Sequence, residues 1–329
     1  MRIICLLALS GIALSAQVAA PRTYSLSPVT HGVQLKTPDG RVVFEYMKTK
    51  PDPSDLTSTS AACFHPVLTP SGERVSNLAP DDHPHHRGMY LAWHNSEFRQ
   101  PIDSSKGGPY APLFGWNITR ADFWGWGVFA PVERRVIQTA DVKLLAGTAD
   151  RADIEVRNDW IVGTRKMLDE TTTARVTERD GVYLIDLVFR LAPLVDYHLA
   201  KQSFSGFNFQ ARKDGETHYT SPQGAVTLRN AHYSMPELNW PASPWYGINI
   251  KLQNGKTVGA VVMDHPSNPP STWHGSRSLW MLNPVIAAIE PITIRSDAPL
   301  TLRYRVVVHD GETPTPLVEN LSTEWRLTR

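Results

Sequence analysis

The 329-residue sequence has little cysteine: Cys5 and Cys63 are the only two. Cys5 lies inside an N-terminal apolar run that we expect to be removed, so no disulfide can form within the remaining chain. The fold must then be held by its hydrophobic core, and the 309 residues after position 20 (329 minus 20) are enough to bury one. Cys63 is therefore predicted to be a buried free thiol rather than a nucleophile.

The sequence also lacks an excess of charge of one sign. It has 33 Lys and Arg against 32 Asp and Glu, a formal net charge of +1, and no basic run or stripe. A nucleic-acid partner therefore has no electrostatic support. A Gly-rich phosphate loop, a His-Glu-x-x-His zinc motif and a nucleophile elbow are missing as well, so nothing in the sequence indicates those three kinds of active site.

The one long apolar run is at the N-terminus. Arg2 is followed by the apolar stretch Ile3–Ala16, and the small residues Val18-Ala19-Ala20 end it. This pattern predicts a signal peptide over residues 1–20. The run is shorter than the roughly 20 apolar residues of a membrane-spanning helix, so we expect an exported protein, periplasmic or extracellular, without a membrane span.

Apolar residues alternate with polar ones along much of the chain. From Leu300 to Val308 every even position is apolar and nearly every odd one is polar, and Val182–Leu191 follows the same period of two. This period predicts strands with one buried face. A helix is predicted only at Pro316–Thr323. Shorter strands are predicted at Val42–Tyr46, Val142–Leu145, Asp153–Arg157, Ala225–Leu228, Ile248–Leu252 and Val258–Met263.

Turn residues such as Asp180-Gly181 separate these runs, and no internal repeat is present. We therefore predict an all-β fold with one large antiparallel β-sandwich domain over residues 21–329, comparable by analogy with the galactose-mutarotase supersandwich. Two long segments, Asp81–Phe129 and His265–Asn283, do not have strand patterns. They are rich in Trp, His, Pro and Gly, and we predict that they are functional loops.

The first of these segments begins with a cluster of titratable residues. Imidazole changes charge near neutral pH, and a neighbouring Asp can fix its tautomer, so the cluster is typical of proton transfer or metal binding. Pro84 restricts His83 to an extended backbone; if that form continues, His83 and His85 point one way and His86 the other. The alternative is a structural loop whose histidines bond to the backbone. The cluster is Asp81-Asp82-His83-Pro84-His85-His86-Arg87-Gly88, with His94 shortly after it.

The second segment repeats the Asp-His-Pro order directly after a predicted strand. Two such loops at strand ends can converge from distant parts of the sequence, and we expect His265 to face the first cluster. Further along, Arg277 has the fork geometry that binds a carboxylate, and Asn283 can bond a hydroxyl. The alternative is a proline-stiffened turn. The repeated motif is Asp264-His265-Pro266-Ser267-Asn268-Pro269.

Six of the ten tryptophans lie in or beside the two segments. Tryptophan is flat and apolar with one hydrogen-bond donor, so a cluster of them on loops is typical of stacking against a sugar ring. The alternative is a small core that holds the loops together. The six are Trp93, Trp116, Trp124, Trp126, Trp273 and Trp280.

Several motifs spread over most of the mature chain carry a resemblance to a known family. They are Pro66-Val67-Leu68-Thr69-Pro70-Ser71-Gly72, then Asp82 to Gly88, then Asp122-Phe123-Trp124, then Asp264 to Pro269, and the tail from Thr301 to Gly311. Together they resemble the PmoA-like family of exported bacterial proteins, which is otherwise a domain of unknown function.

The resemblance implies a β-rich protein associated with polysaccharide breakdown. It does not imply a methane oxygenase subunit, because such a subunit needs several spans of roughly 20 apolar residues and the mature chain has none. The chain departs from the family in the insertion Glu97–Ala121, which includes Pro109-Tyr110-Ala111-Pro112. We expect this insertion to add a wall or lid to the pocket.

The leading hypothesis is an exported carbohydrate-active enzyme, a glycoside hydrolase or lyase, that cleaves or remodels a glycan by acid–base chemistry. His85 or His86 is the predicted acid or base, Asp82 orients it, and His265 is the opposite member of the pair.

Other residues of the two segments are predicted to bind the substrate. Arg87 and Arg277 would bind negative charge, and Trp124 or Trp280 would stack on the sugar ring. A variant with paired carboxylates would use Asp82, Asp122 and Asp264. The remaining predicted substrate-binding residues are His94, Asp122, Asn268 and Asn283.

Two other hypotheses stay open. One is a metal-dependent enzyme with a divalent metal held by His83, His85, His265 and Asp82, although no cofactor is favoured by the sequence. The other is a non-catalytic glycan-binding protein, which needs aromatic side chains but few titratable ones. In the leading and the last hypothesis the partner is a carbohydrate.

Overall fold

The computed structural model describes residues 22–102, 115–227 and 234–328. The predicted signal peptide lies outside these residues, and so does Pro109-Tyr110-Ala111-Pro112 of the predicted lid. In the first part of the chain the strands are β1 (Ser25–Val29), β2 (Gly32–Lys36), β3 (Val42–Met47), β4 (Cys63–Val67), β5 (Met89–Ala92), β6 (Ser96–Pro101), β7 (Trp116–Ala121), β8 (Arg135–Gly147), β9 (Arg151–Val162), β10 (Arg165–Arg179) and β11 (Val182–Pro193).

The second part of the chain continues in the same way. A single turn of 3-10 helix at Pro236–Leu238 interrupts it, and the helix α1 (Thr315–Arg326) ends it. The strands are β12 (Asp196–Leu199), β13 (Gly206–Gln210), β14 (Gly215–Ser221), β15 (Gly224–Ala225), β16 (Trp245–Leu252), β17 (Thr257–Asp264), β18 (Thr272–His274), β19 (Met281–Val285), β20 (Ile292–Ile294) and β21 (Leu300–Asp310).

The strands form three antiparallel sheets, which confirms the predicted all-β sandwich. The first has eight strands in the order β1-β2-β3-β4-β5-β13-β19-β18, and the second has nine in the order β15-β14-β16-β17-β21-β11-β10-β9-β8. A smaller sheet has the order β20-β12-β6-β7. One hydrophobic cluster contains residues of all three sheets, so they share a core.

The two longest predicted strands are confirmed by register and burial. β11 pairs with β21 from Val182 opposite His309 to Leu191 opposite Leu300. The apolar side of β11, which includes Ile185 and Leu187, is buried in the shared core, as the period of two requires. Cys63 is also fully buried there, and burial raises the pKa of its thiol to about 12. This confirms a free thiol without nucleophilic character at neutral pH.

The predicted C-terminal helix is confirmed and covers the outer face of the nine-stranded sheet. Successive side chains of β17 point to opposite faces, so Val262 enters the main core while Val261 and Met263 form a second, smaller core. Leu321 and Trp325 of α1 complete this second core. The helix starts with proline in its first turn, where no hydrogen bond is lost. No helix among the described residues is long and apolar enough to cross a membrane.

The prediction that the two long segments lack strands is wrong. The first contains β5, β6 and β7, and the second contains β18 and β19. β5 and β19 are buried at every residue, so neither has an exposed side and the alternation of apolar and polar residues is absent. The described ends of the insertion, β6 and β7, pair with each other in the small sheet.

Candidate functional site

The histidine loop, Asp81–Gly88, lies directly before β5. Its backbone forms a turn that brings its three imidazoles together. The His83 N–H donates to Pro80 O and the His86 N–H donates to His83 O, each at 2.9 Å, so the backbone curls around Pro84. The ring centroids lie 5.0 Å apart for His83 and His86, 4.6 Å for His85 and His86, and 5.8 Å for His83 and His85. The expected extended form, with His86 on the opposite side, is wrong because the turn replaces it.

Asp82 lies against His83, whereas the predicted partner was His85 or His86. Its Oδ2 lies 3.1 Å from His83 Nδ1, and Lys213 Nζ donates to both its carboxylate oxygens at 2.6 Å. Burial alone would raise the pKa of Asp82, but the Lys213 hydrogen bonds and charge outweigh it and lower the pKa. The carboxylate is therefore ionised at neutral pH, and it can orient the His83 ring.

The tautomer of His86 is fixed by Gln210, a buried residue of β13. Gln210 Nε2 donates to Leu279 O at 2.9 Å and to Ala211 O at 3.2 Å, and carbonyls can only accept. Gln210 Oε1 must then accept the 2.8 Å hydrogen bond from His86 Nδ1. Burial, followed by the neighbouring imidazoles, lowers the pKa of His86 well below its usual range. His86 is therefore neutral, with a proton on Nδ1 and a lone pair on Nε2.

Aromatic side chains form a wall beside the imidazoles. His94 follows β5 and stacks on Phe204, with centroids 4.2 Å apart and planes at 21°. The ring centroids of Trp126 and Phe129 lie 5.3 and 5.7 Å from that of His94. Trp126 is half-buried and Phe129 is 49% exposed, so this wall reaches the protein surface. Burial lowers the pKa of His94 to about 3, which makes it a neutral part of the wall.

Arg87 does not face a substrate. It is fully buried, and its guanidinium donates to Ser58 Oγ at 2.9 Å, Trp124 O at 3.1 Å and Phe123 O at 3.2 Å. The guanidinium also lies over the Tyr90 ring, 4.2 Å from its centroid. The predicted role in binding substrate charge is therefore replaced by a structural one under the histidine loop.

Asp122 and Trp124 are structural as well. Asp122 is fully buried and accepts hydrogen bonds from the Gly125 and Gly127 N–H groups at 2.7 and 2.6 Å. Burial outweighs these bonds and raises its pKa to about 6. Trp124 has no exposed surface and packs against His86 at 5.4 Å between centroids. The indole predicted to stack on a sugar is thus part of the support for His86.

The structure does not bring His265 to the histidine loop. Its ring packs against Trp325 of α1, 5.2 Å between centroids, and its Nδ1 lies 2.7 Å from Ser267 Oγ. It follows β17 on the outer face of the nine-stranded sheet, whereas His86 packs in the main core with Trp124. The expected convergence is wrong, because the Asp-His-Pro turn of the second segment docks on the helix.

Asn268 and Asn283, two other polar residues of the second segment, bond to protein groups. Asn268 donates to Asp264 Oδ1 at 2.6 Å and pairs with the Arg303 backbone, and Asn283 pairs with the backbone of Ser205 and Phe207. Burial raises the pKa of Asp264 to about 6. Asn268 and Asn283 therefore have structural partners in place of the predicted substrate.

The proposed metal set does not assemble. His265 packs against Trp325 of α1, apart from His83, His85 and Asp82. Among the described residues, no three or more His, Cys, Asp or Glu side chains are arranged so that they could hold a metal ion.

Arg277 and Trp280, both predicted to bind substrate, lie in one groove. Both line a groove of about 580 Å³ together with Glu216. Gln210 Nε2 also donates to Trp280 O at 3.3 Å, so this groove lies next to the support of His86. Lys213, which holds Asp82, donates to Ser278 O at 2.5 Å in the same segment.

Several residues of this site were missed by sequence reasoning. Gln210 and Lys213 lie on or just after β13, far from the histidines in sequence, and no local pattern marks them. Trp126 belonged to the noted tryptophan cluster but was passed over for its neighbour Trp124. Phe129 and Phe204 carried no signal beyond being aromatic. The arrangement they complete offers an Asp-His pair, a neutral imidazole and an accessible aromatic wall.

Comparison with known proteins places the chain in a family. The model of a family of unknown function, DUF6807, matches residues 34–323, so the chain belongs to that family. The PmoA-like label expected from the motifs is wrong, because the matched family carries no methane-oxygenase designation. Among curated proteins, no sequence matches.

Solved structures show distant likenesses. One is a galactose mutarotase related enzyme from Lactobacillus acidophilus, with 7% identity and a TM-score of 0.37, covering 87% of this chain and 97% of that one. Another is a protein from Klebsiella pneumoniae assigned as an aldose 1-epimerase, with 12% identity and a TM-score of 0.30, covering 58% of each chain. At these TM-scores neither likeness bears on the activity of this protein.

Gly125→Ala is expected to destabilise the protein more than Gly72→Ala. Both glycines have a left-handed φ, +106° and +88°, so both variants carry a backbone cost of about 1–2 kcal/mol. Only at Gly125 would the new Cβ meet Ser58 and His85, at 3.0 and 3.2 Å; at Gly72 nothing lies within 4 Å. Denaturant unfolding should show an extra loss of about 1–3 kcal/mol for Gly125→Ala. Equal losses would mean that this loop does not pack closely on His85.

His94→Phe is expected to make stability less sensitive to acid. The folded-state pKa of about 3 lies below the ordinary value of 6.5, so the unfolded chain takes up the proton first. The stability tied to His94 is complete above pH 6.5 and is lost as the pH falls towards 3. Between pH 7 and pH 5 the variant should lose about 2 kcal/mol less free energy of unfolding than the wild type. The measurement is urea unfolding at both values; an unchanged difference would contradict the prediction.

Proposed function

We propose that the histidine loop is an acid–base centre acting on a carbohydrate, with His83 as the residue that exchanges a proton with the substrate. The observation that carries the proposal is the convergence of three imidazoles with Asp82 3.1 Å from His83 Nδ1. An imidazole oriented by an ionised carboxylate is a general base at neutral pH.

The accessibility of the three histidines supports the choice of His83. Its side chain is 21% exposed, whereas His85 and His86 as whole residues are 8% and 3% exposed. His83 is thus the member of the cluster that a substrate meets first. His86 stacks behind it with a lone pair on Nε2, held in that tautomer by Gln210.

The aromatic wall supports a sugar as the substrate. Half-buried Trp126 and half-exposed Phe129 present apolar ring surface beside His94. Such surface binds the apolar face of a pyranose, while nearby polar groups bind its hydroxyls.

The carboxylates favour proton transfer by imidazole over a paired-carboxylate glycosidase. Asp122 caps the loop of Gly125 and Gly127 and is fully buried, and Asp264 is bonded to Asn268 and Ser271 in the second segment. Asp82 is held by Lys213. All three carboxylates thus bond to protein groups, whereas the two carboxylates of a glycosidase must both face the sugar.

A non-catalytic glycan-binding protein is the second candidate. It is favoured by the low exposure of His85 and His86 and by the bonding of His86 to Gln210. In that case the histidines support the loop and the aromatic wall alone binds the sugar.

His83→Gln is expected to lower kcat by about 10²–10⁴-fold, because the proton-transfer group is lost. Asp82→Asn should lower it less, because the ring remains. The assay is proton NMR in D₂O with a panel of glycosides and polysaccharides. It distinguishes epimerisation, seen as C–H exchange, from elimination, seen as a new double bond, and from hydrolysis, seen as a new reducing end. His198→Gln, whose ring bonds to Thr293 in the small sheet, is the matched control and should keep full activity.

The outcomes separate the two candidates. Turnover by the wild type that His83→Gln abolishes, with thermal unfolding unchanged, supports the acid–base centre. Sugar binding without turnover in any of the three NMR signals supports the binding protein and rejects the enzyme. Turnover that a chelator abolishes would reject proton transfer by the side chains alone.

We propose in addition that the protein is exported. The apolar run between Arg2 and Ala20 supports this, since it has the length and the small-residue end of a cleavable signal. Mass spectrometry of the full chain expressed in a bacterial host is expected to show a secreted or periplasmic product that begins near Pro21. A product that keeps its N-terminus in the cytoplasm would contradict export.

A further inference from the structure

The groove beside Trp280 has two opposite charges that do not pair with each other. Arg277 and Glu216 are both exposed and both line it. Neither side chain forms an ion pair or hydrogen bond within the described residues. Its volume of about 580 Å³ falls within the roughly 300–1,000 Å³ usual for ligand pockets.

Trp280 is held in a strained conformation at this groove. Its φ is +50°, which is unusual and strained for a bulky residue. The strain is maintained by hydrogen bonds to its carbonyl from the Ala211 N–H at 2.9 Å and from Gln210 Nε2 at 3.3 Å. The half-buried indole therefore has a fixed position on the groove wall, and buried Tyr219 also lines it.

These groups fit an uncharged sugar better than an anion or a cation. A carboxylate accepts hydrogen bonds from neighbouring hydroxyls, a guanidinium donates to hydroxyl and ring oxygens, and an indole stacks on the C–H face of the ring. A ligand with a full charge would be attracted by one of Arg277 and Glu216 and repelled by the other. A pyranose satisfies both.

The side chain of Gln210 contacts both the acid–base centre and the segment that lines the groove. Gln210 bonds His86 through its oxygen and Trp280 O through its nitrogen. Lys213 makes a second link, from Asp82 to Ser278 O. The residues that support the histidine loop therefore also contact the segment that carries Trp280.

We infer that the groove lined by Glu216, Arg277 and Trp280 is a second sugar subsite, so that the ligand is an uncharged oligosaccharide of at least two pyranose units. The inference rests on the carbohydrate part of the proposed function and adds the length and charge of the ligand. It does not require turnover.

Calorimetry on the mature protein tests the inference with β-linked oligosaccharides of glucose, xylose and galactose, one to four units long. For at least one series, the affinity is expected to rise at least tenfold from one unit to three. Arg277→Gln and Glu216→Gln, both surface substitutions, should each remove most of that gain. Glu319→Gln, an exposed residue of α1, is the matched control.

Each result bears on the inference separately from catalysis. A chain-length gain that both groove variants remove supports the subsite, even if no sugar is turned over and the acid–base proposal fails. Equal affinity for one and three units, a gain that the variants leave intact, or no sugar bound at all would overturn it. Preferential binding of a uronate series that Arg277→Gln abolishes would also overturn it, since the ligand would then be an anion.

Discussion

The buried guanidinium of Arg87 is the interaction on which the rest of the site depends. It lies directly after His86 in sequence and enters the main core with no exposed surface. Removing such a charge from water costs several kcal/mol, which hydrogen bonds to its two terminal nitrogens offset only in part, because Nε has no partner among the described residues. Ser58 and the carbonyls of Phe123 and Trp124 accept its hydrogen bonds, and the Tyr90 ring lies beneath it. Two loops are thereby tied to the base of the histidine loop.

This anchoring explains why neighbouring polar residues act as structure rather than as reagents. Asp122 fixes the turn that carries the Phe123 and Trp124 carbonyls, and Trp124 packs on His86. A charged or polar residue type in a loop thus has two competing uses. Which one applies is decided by burial, which depends on contacts far away in sequence.

Sequence reasoning predicted the fold better than the site. Period-two runs such as Leu300–Val308 identify the side of a strand that faces the main core, even though α1 covers part of the outer side, and their pairing into a sandwich follows. β5 and β13 escaped detection because both their faces are buried. The histidine loop was found from composition, but its geometry was not, because the turn at Pro84 and the partners Gln210 and Lys213 come from tertiary contacts. The Asp-His-Pro repeat was misleading, since one copy precedes β5 of the eight-stranded sheet while the other follows β17 of the nine-stranded sheet and packs on α1.

The position of β5 divides the site into a fixed part and an adjustable part. β5 lies between β4 and β13 in the interior of the eight-stranded sheet, with Arg87 just before it and His94 just after it. Arg87 and His94 are therefore held in place by a strand that is hydrogen-bonded to a neighbour on each side. Trp126 and Phe129 instead lie on the segment between β7 and β8, and Arg277 lies on the segment between β18 and β19. For the proposed acid–base centre, substitutions or length changes in these connecting segments would therefore change which ligand fits while the strand keeps the histidine loop in place.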